Sequence, residues 1–153
     1  MQGFEKSRLI VVANRLPFSS MKVNTKTGSW ECKISSGGLV SAFMGVRGMD
    51  MTWVGWPGEE IEEIEEQDAL TRHLKSQDCV PVFLTSSVAK NYYNGFSNTL
   101  LWPLFHYIPL SMLAYDTAVA EEQWQAYVEA NERFAETVLR TYREGDIVWV
   151  QVP

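Results

Sequence analysis

The sequence predicts an α/β fold built on a parallel sheet, and three observations carry the expectation. Unbroken apolar runs of strand length recur, beginning with Leu9-Ile10-Val11-Val12, and such runs belong to strands covered on both faces. Helical stretches alternate with them, the order of elements that produces a right-handed parallel sheet. At 153 residues, with no internal repeat and no low-complexity linker, the chain is expected to form one domain.

In order, residues 8–13 read as a first buried strand. Residues 21–24 and 30–34 flank Lys26-Thr27-Gly28-Ser29, a hairpin with a turn at its tip. Ser35-Ser36-Gly37-Gly38 opens a helix to about residue 46. Residues 52–56 form a second buried strand stopped by Pro57-Gly58. Residues 59–77 are polar, with Ile61, Ile64, Leu70 and Leu74 as a sparse helical stripe and the run from Glu59 to Glu66 as a solvated face. A third strand spans residues 79–84. Thr85 is a candidate N-cap for a helix to about residue 93, and residues 100–105 form a short apolar turn or helix interrupted by Pro103. Residues 120–143 carry Trp124, Tyr127, Val128, Asn131, Phe134, Ala135, Val138, Leu139 and Tyr142 at helical spacing. Gly145 stops this helix, and residues 146–151 are a fourth strand.

Composition narrows the function. Nineteen acidic residues against thirteen basic ones give a net charge of −6, which argues against a nucleic-acid partner, since that binding depends on a basic face. An anionic substrate must then be held by a few placed cations and backbone N–H groups. No apolar run reaches the ~18 residues of a membrane span, and the first residues lack a secretory pattern. Cys32 and Cys79 fit neither a metal-site spacing nor a disulfide framework. No membrane partner and a cytoplasmic location are therefore expected.

In open parallel sheets, ligands bind beyond the C-terminal ends of the strands. Asn14 and Arg15 follow the first strand, Trp56, Pro57 and Gly58 the second, and Tyr92, Tyr93, Asn94 and Trp102 come after the third. Arg15 places a permanently charged fork where a phosphate can be gripped at two points, or simply closes a strand in solvent. Gly37-Gly38 at a helix start lets backbone N–H groups reach an anion, though glycines there also serve turn geometry alone. The dinucleotide fingerprint G-x-G-x-x-G is absent. Trp53 and Trp56 lie three apart on a strand and face opposite ways, Trp53 toward the core. Residues 92–98 are too rich in hydroxyls and amides for a core stretch. Leu104 and Phe105 are expected in the core, and His106 as a structural histidine. No Ser-His-Asp, Cys-His or two-carboxylate arrangement is readable.

Seven blocks stand in a fixed order: Val11-Val12-Ala13-Asn14-Arg15-Leu16-Pro17, Ser36-Gly37-Gly38-Leu39-Val40, Trp53-Val54-Gly55-Trp56-Pro57-Gly58, Tyr92-Tyr93-Asn94-Gly95-Phe96-Ser97-Asn98, Leu101-Trp102-Pro103-Leu104-Phe105-His106-Tyr107, Ala126-Tyr127-Val128-Glu129-Ala130-Asn131 and Val148-Trp149-Val150-Gln151. Together they resemble the N-terminal region of the trehalose-6-phosphate synthases, closer to the eukaryotic members than to the bacterial ones, over about residues 8–151. The resemblance implies a retaining glycosyltransferase of the two-Rossmann-domain (GT-B) type. Residues 1–153 would be a Rossmann-like, acceptor-side N-terminal domain, incomplete at its C-terminus.

Such enzymes move glucose from UDP-glucose to glucose 6-phosphate, release UDP and require no metal or other cofactor. By similarity, Arg15 and Tyr93 grip the acceptor phosphate, Trp56 and Trp102 line the acceptor pocket, and Gly38 meets the donor diphosphate through its backbone. The family continues after Val-Trp-Val-Gln with Asp-Tyr-His-Leu, where this sequence has Val152-Pro153. A chain ending there is expected to lack the rest of the enzyme, to be inactive alone and to self-associate through an uncovered apolar strand. The alternative reading is a non-catalytic sugar-phosphate-binding or regulatory subunit of a trehalose synthase complex.

Overall fold

The computed structural model describes residues 7–24, 29–46, 48–112 and 116–151. Its centre is a four-stranded parallel sheet of β1 (Leu9–Arg15), β4 (Met51–Trp56), β5 (Cys79–Pro81) and β6 (Ile147–Val150), in spatial order β5-β4-β1-β6. Every pairing in it is parallel, as the buried apolar runs require. A separate antiparallel hairpin joins β2 (Phe18–Val23) to β3 (Trp30–Ile34). Lys26, Thr27 and Gly28 of its expected turn lie outside the described residues.

Alternation along β1 divides the core into two layers. Leu9, Val11 and Ala13 pack with Trp53, with Val40 and Phe43 of α1 (Gly38–Met44), and with Leu70 and Leu74 of α2 (Ile64–Lys75). Ile10 and Val12 face the other way, onto Ala126, Ala130 and Phe134 of α5 (Thr117–Thr141). Helices thus cover both faces of the sheet, and Trp53 is core as expected, edge-on to Phe43 at 5.5 Å between ring centroids.

Between β5 and α5 the chain forms one long helical run. It starts as α3 (Ser86–Ala89), capped by the Thr85 hydroxyl accepting from the Val88 N–H, and widens into π-helical turns over Lys90–Leu101. It ends as α4 (Trp102–Phe105), followed by a 3-10 turn at Leu110–Met112.

Several expectations are corrected. The third strand pairs only over Cys79–Pro81, with Val82 adding a last bond to the Gly55 carbonyl before the chain turns into the helix that Thr85 caps; Pro81 is tolerated because its missing N–H would face the open edge of the sheet. The long helix begins at Thr117, capped by the Asp116 side chain on the Ala118 N–H, and ends at Thr141 rather than residue 143. Ile64 is exposed, so the buried stripe of α2 is Leu70 and Leu74 alone, while Ile61 is buried ahead of the helix. Leu104 and Phe105 are not core: both are exposed, since nothing among the described residues covers the apolar side of α4. Residues 92–98, expected to be too polar for the core, are partly core. Tyr92, Gly95, Phe96 and Ser97 are buried against α5, with Phe96 5.0 Å from Tyr127 between ring centroids.

The two ends of the sheet differ. At the start of β1, the Arg8 guanidinium donates to both Asp146 carboxylate oxygens (2.6 and 3.3 Å) and to the Thr141 carbonyl at 2.8 Å. This ties β1 to the entry of β6 and the end of α5. β6 is an edge strand, and Ile147, Val148, Trp149 and Val150 are all exposed. Among the described residues, no helix is long and apolar enough to cross a membrane.

Candidate functional site

At the other end of the sheet, the C-terminal ends of β1 and β4 and the residue following β6 open onto one cavity of about 830 Å³. The chain order makes this a switch point. From β1 the sheet grows outward through β4 to β5, and the chain then returns over α5 to lay β6 on the opposite side of β1. Open α/β sheets bind their ligands at such points.

Arg15 and Trp56 form the floor. The β1–β4 register shifts between Val12 and Arg15, setting Arg15 opposite Trp56, and the Leu16 N–H donates to the Trp56 carbonyl at 3.0 Å. Gly55 permits this approach. A Cβ there would lie 2.6 Å from the Leu16 nitrogen and 2.7 Å from the Arg15 carbonyl carbon, closer than any side chain tolerates.

The Arg15 guanidinium then lies over the Trp56 ring, 5.1 Å from its centroid, a cation–π contact. Gly58, at φ +104°, also lies close to the guanidinium, and a Cβ there would sit 3.7 Å from Nη1. Among the described residues no carboxylate pairs with Arg15. The Trp56 indole N–H is buried and has no hydrogen-bond partner there.

The walls come from two helices. Gly37 and Gly38 border the cavity at the start of α1. No atom lies within 4 Å of a Cβ built on Gly38, so packing does not demand a glycine there. Opposite, Ser86, Lys90, Tyr93 and Asn94 line the cavity from the long helical run. Glu59 and Glu60 form part of the rim, with Glu60 Oε2 accepting the Ser86 N–H at 2.7 Å.

Arg15, Gly38, Trp56 and Tyr93 are therefore brought to one cavity, and Trp102 is not. Trp102 is half exposed on α4 and stacks on His106 at 4.0 Å between ring centroids, while the His106 Nδ1 lies 2.7 Å from the Trp102 carbonyl oxygen. Neither lines the cavity. Sequence reasoning missed Lys90, Glu60 and Gly55. Helical spacing from Tyr93 could have found Lys90, whereas the need for Gly55 depends on a backbone contact with no sequence signature.

The chemistry available is that of binding and orienting. Among the described residues no group of three or more His, Cys, Asp or Glu is placed to hold a metal ion. Burial pushes the Cys79 thiol up to about 12, and burial beside Tyr127 and Tyr93 pushes the Tyr92 hydroxyl up to about 12. Both are protonated at neutral pH and unsuited as nucleophiles.

The fold and the cleft define a class: a doubly covered α/β protein with a cleft at its sheet's switch point, bordered by an arginine that pairs with no carboxylate among the described residues and by a glycine-edged helix start. Comparison with known proteins is more specific. The sequence pattern of glycosyltransferase family 20 matches residues 7–151. The chain is 49% identical over 148 residues to a UDP-forming alpha,alpha-trehalose-phosphate synthase of Dictyostelium discoideum, covering 97% of this chain and 19% of that protein. It is 44% identical to the Schizosaccharomyces pombe enzyme of that name, covering 94% of this chain and 27% of that one.

Among solved structures, the N-terminal domain of Candida albicans trehalose-6-phosphate phosphatase shares the fold, with a TM-score of 0.65 at 22% identity, over 98% of this chain and 30% of that one. A trehalose-phosphate synthase from Burkholderia vietnamiensis also shares it, with a TM-score of 0.57 at 24% identity, over 94% of this chain and 26% of that one. The chain belongs to glycosyltransferase family 20, and it spans under a third of the length of the relatives it matches.

Proposed function

We propose that this chain is the acceptor-side, N-terminal portion of a cytoplasmic enzyme that transfers glucose from UDP-glucose to glucose 6-phosphate, forming trehalose 6-phosphate and releasing UDP. The observation that carries the reading is the Arg15 fork, held over Trp56, free of any carboxylate among the described residues and facing the switch-point cavity. In a chain of net charge −6, an arginine kept unpaired in a cleft is a local anion hold.

Arg15 and Tyr93 would grip the acceptor phosphate, and Trp56 would position that grip as well as wall the pocket. Gly38 would let the α1 backbone reach the donor diphosphate. Catalysis would come from placing two sugars in line and stabilising the departing diphosphate, without a protein nucleophile. Trp102 would reach an acceptor only if α4 moved, so it is the weakest member of the proposed set.

The test is Arg15→Lys in a full-length family member carrying this region. Lysine keeps the charge but loses the two-pronged geometry, and a charge-assisted hydrogen bond contributes about 1.5–3 kcal/mol, a loss of roughly 10- to 150-fold in acceptor kcat/KM. UDP-glucose binding is expected to hold. Unchanged acceptor kinetics would remove Arg15 from the site.

A further inference from the structure

We propose that Lys90 is a second anion-holding residue of this cleft, one that sets its preference for a phosphorylated over an unphosphorylated sugar. The inference rests on reading the cavity as the acceptor site. Ser86, Ala89, Lys90, Tyr93 and Asn94 all line the cavity. They stand on the cavity side of the helical run, which is α-helical over Ser86–Ala89 and π-helical from Lys90 on. Lys90 thus lines the same cavity as Tyr93, three residues nearer the helix start.

Charge gives Lys90 its role. Among the described lining residues only Arg15 and Lys90 are positive, and Glu59 and Glu60 are negative. Without Lys90 the cavity would set one cation against two carboxylates, a poor place for a phosphate monoester carrying about −1.5 to −2 at neutral pH. With Lys90 the count is two against two. Glu60 is already engaged, because its carboxylate holds the Ser86 N–H. Lys90 forms no ion pair among the described residues, so its ammonium remains available to a ligand. A compact charge on a flexible stem can follow a phosphate that Arg15 fixes from the floor.

The 153-residue protein is titrated calorimetrically with glucose 6-phosphate and with glucose, at low and at high salt. Lys90→Gln, Lys90→Arg and Arg15→Gln are compared with the parent. Lys90→Gln is expected to weaken glucose 6-phosphate binding roughly three- to tenfold at low salt, the range for an exposed cation on a charged partner. The difference should shrink at high salt, Lys90→Arg should retain most of the affinity, and glucose binding should not move. If Lys90→Gln binds glucose 6-phosphate as tightly as the parent while Arg15→Gln does not, Lys90 is a solvated surface residue and the acceptor-site reading stands. Equal losses for both sugars would mark a structural defect and overturn the phosphate role. A parent that binds no glucose 6-phosphate overturns both the reading and the inference.

Discussion

β1 carries an arginine at each end, and the two are treated in opposite ways. Arg8 is largely buried and bound to Asp146, whose side chain is 6% exposed, and to the Thr141 carbonyl. Arg15 lies over an aromatic ring with no carboxylate among the described residues to neutralise it. The same side chain on the same strand serves the fold at one end and is left open to a ligand at the other. The sequence shows both arginines flanking one apolar run; only the return of the chain through α5 to β6 delivers a carboxylate to the first and none to the second.

The sharpest way to break the comparison is at the paired end. Asp146→Ala leaves the part-buried Arg8 guanidinium without its carboxylate partner, and a loss of about 1–3 kcal/mol is expected, read as a lowered midpoint in urea. The pair also sets an acid limit. The hydrogen bond from Arg8 holds the Asp146 carboxyl below its ordinary value of 3.8. The folded value is depressed, so the stabilisation is complete above the unfolded value and lost as pH falls below it. Denaturant midpoints measured across pH 2.5–6 should fall steeply at the acid end in the parent and more gently in Asp146→Asn. Equal slopes would show that the pair contributes nothing.

At the open end, Gly55→Ala forces β4 away from the turn that carries Arg15. Overpacking of this kind costs about 1–3 kcal/mol, and the displaced Arg15 should weaken glucose 6-phosphate binding as well. An alanine variant of parental stability would mean that the backbone yields freely. Gly38→Ala should do the reverse. A Cβ at Gly38 meets nothing, and alanine gains up to about 1 kcal/mol as a helix former, so stability holds or rises. UDP binding should fall roughly tenfold if the backbone there contacts the diphosphate. Calorimetry showing unchanged UDP affinity would assign the glycine to turn geometry.

The smallest expected effect concerns the exposed face of β6. Trp149 at 53% and Val150 at 66% exposure stand on a sheet edge that no described strand pairs, a template for another strand. Light scattering across a concentration series should show weak self-association, reduced by Val150→Lys. A strictly monomeric protein would count against it.

Much of this was legible because periodicity reports what a residue prefers. Leu9-Ile10-Val11-Val12 announced a strand covered on both faces, and it is the most buried one. Phe105 shows the limit. Its preference for burial is real, but it is 63% exposed because no described element lies over α4. Tyr92, Phe96 and Ser97 show the converse: a stretch that reads as polar is buried because α5 lies against it. In the site, Arg15, Trp56 and Tyr93 could be named from strand ends and residue chemistry. Their convergence could not be, since it depends on the β1–β4 register and on where the helical run packs, nor the absence of Trp102 from the cavity, which depends on the path of the chain after residue 94.

The place of β6 beside β1 has a kinetic meaning. Arg8 and Asp146 are 138 positions apart, so the first strand gains its second neighbour only after all the intervening elements are available. Closing so long a loop carries a large entropic cost before any contact offsets it, and non-local pairings of this kind slow folding. A growing chain must therefore hold one edge of its most apolar strand open while α5 is still being made. The Arg8–Asp146 contact is then a late event: weakening it should quicken unfolding far more than it slows refolding.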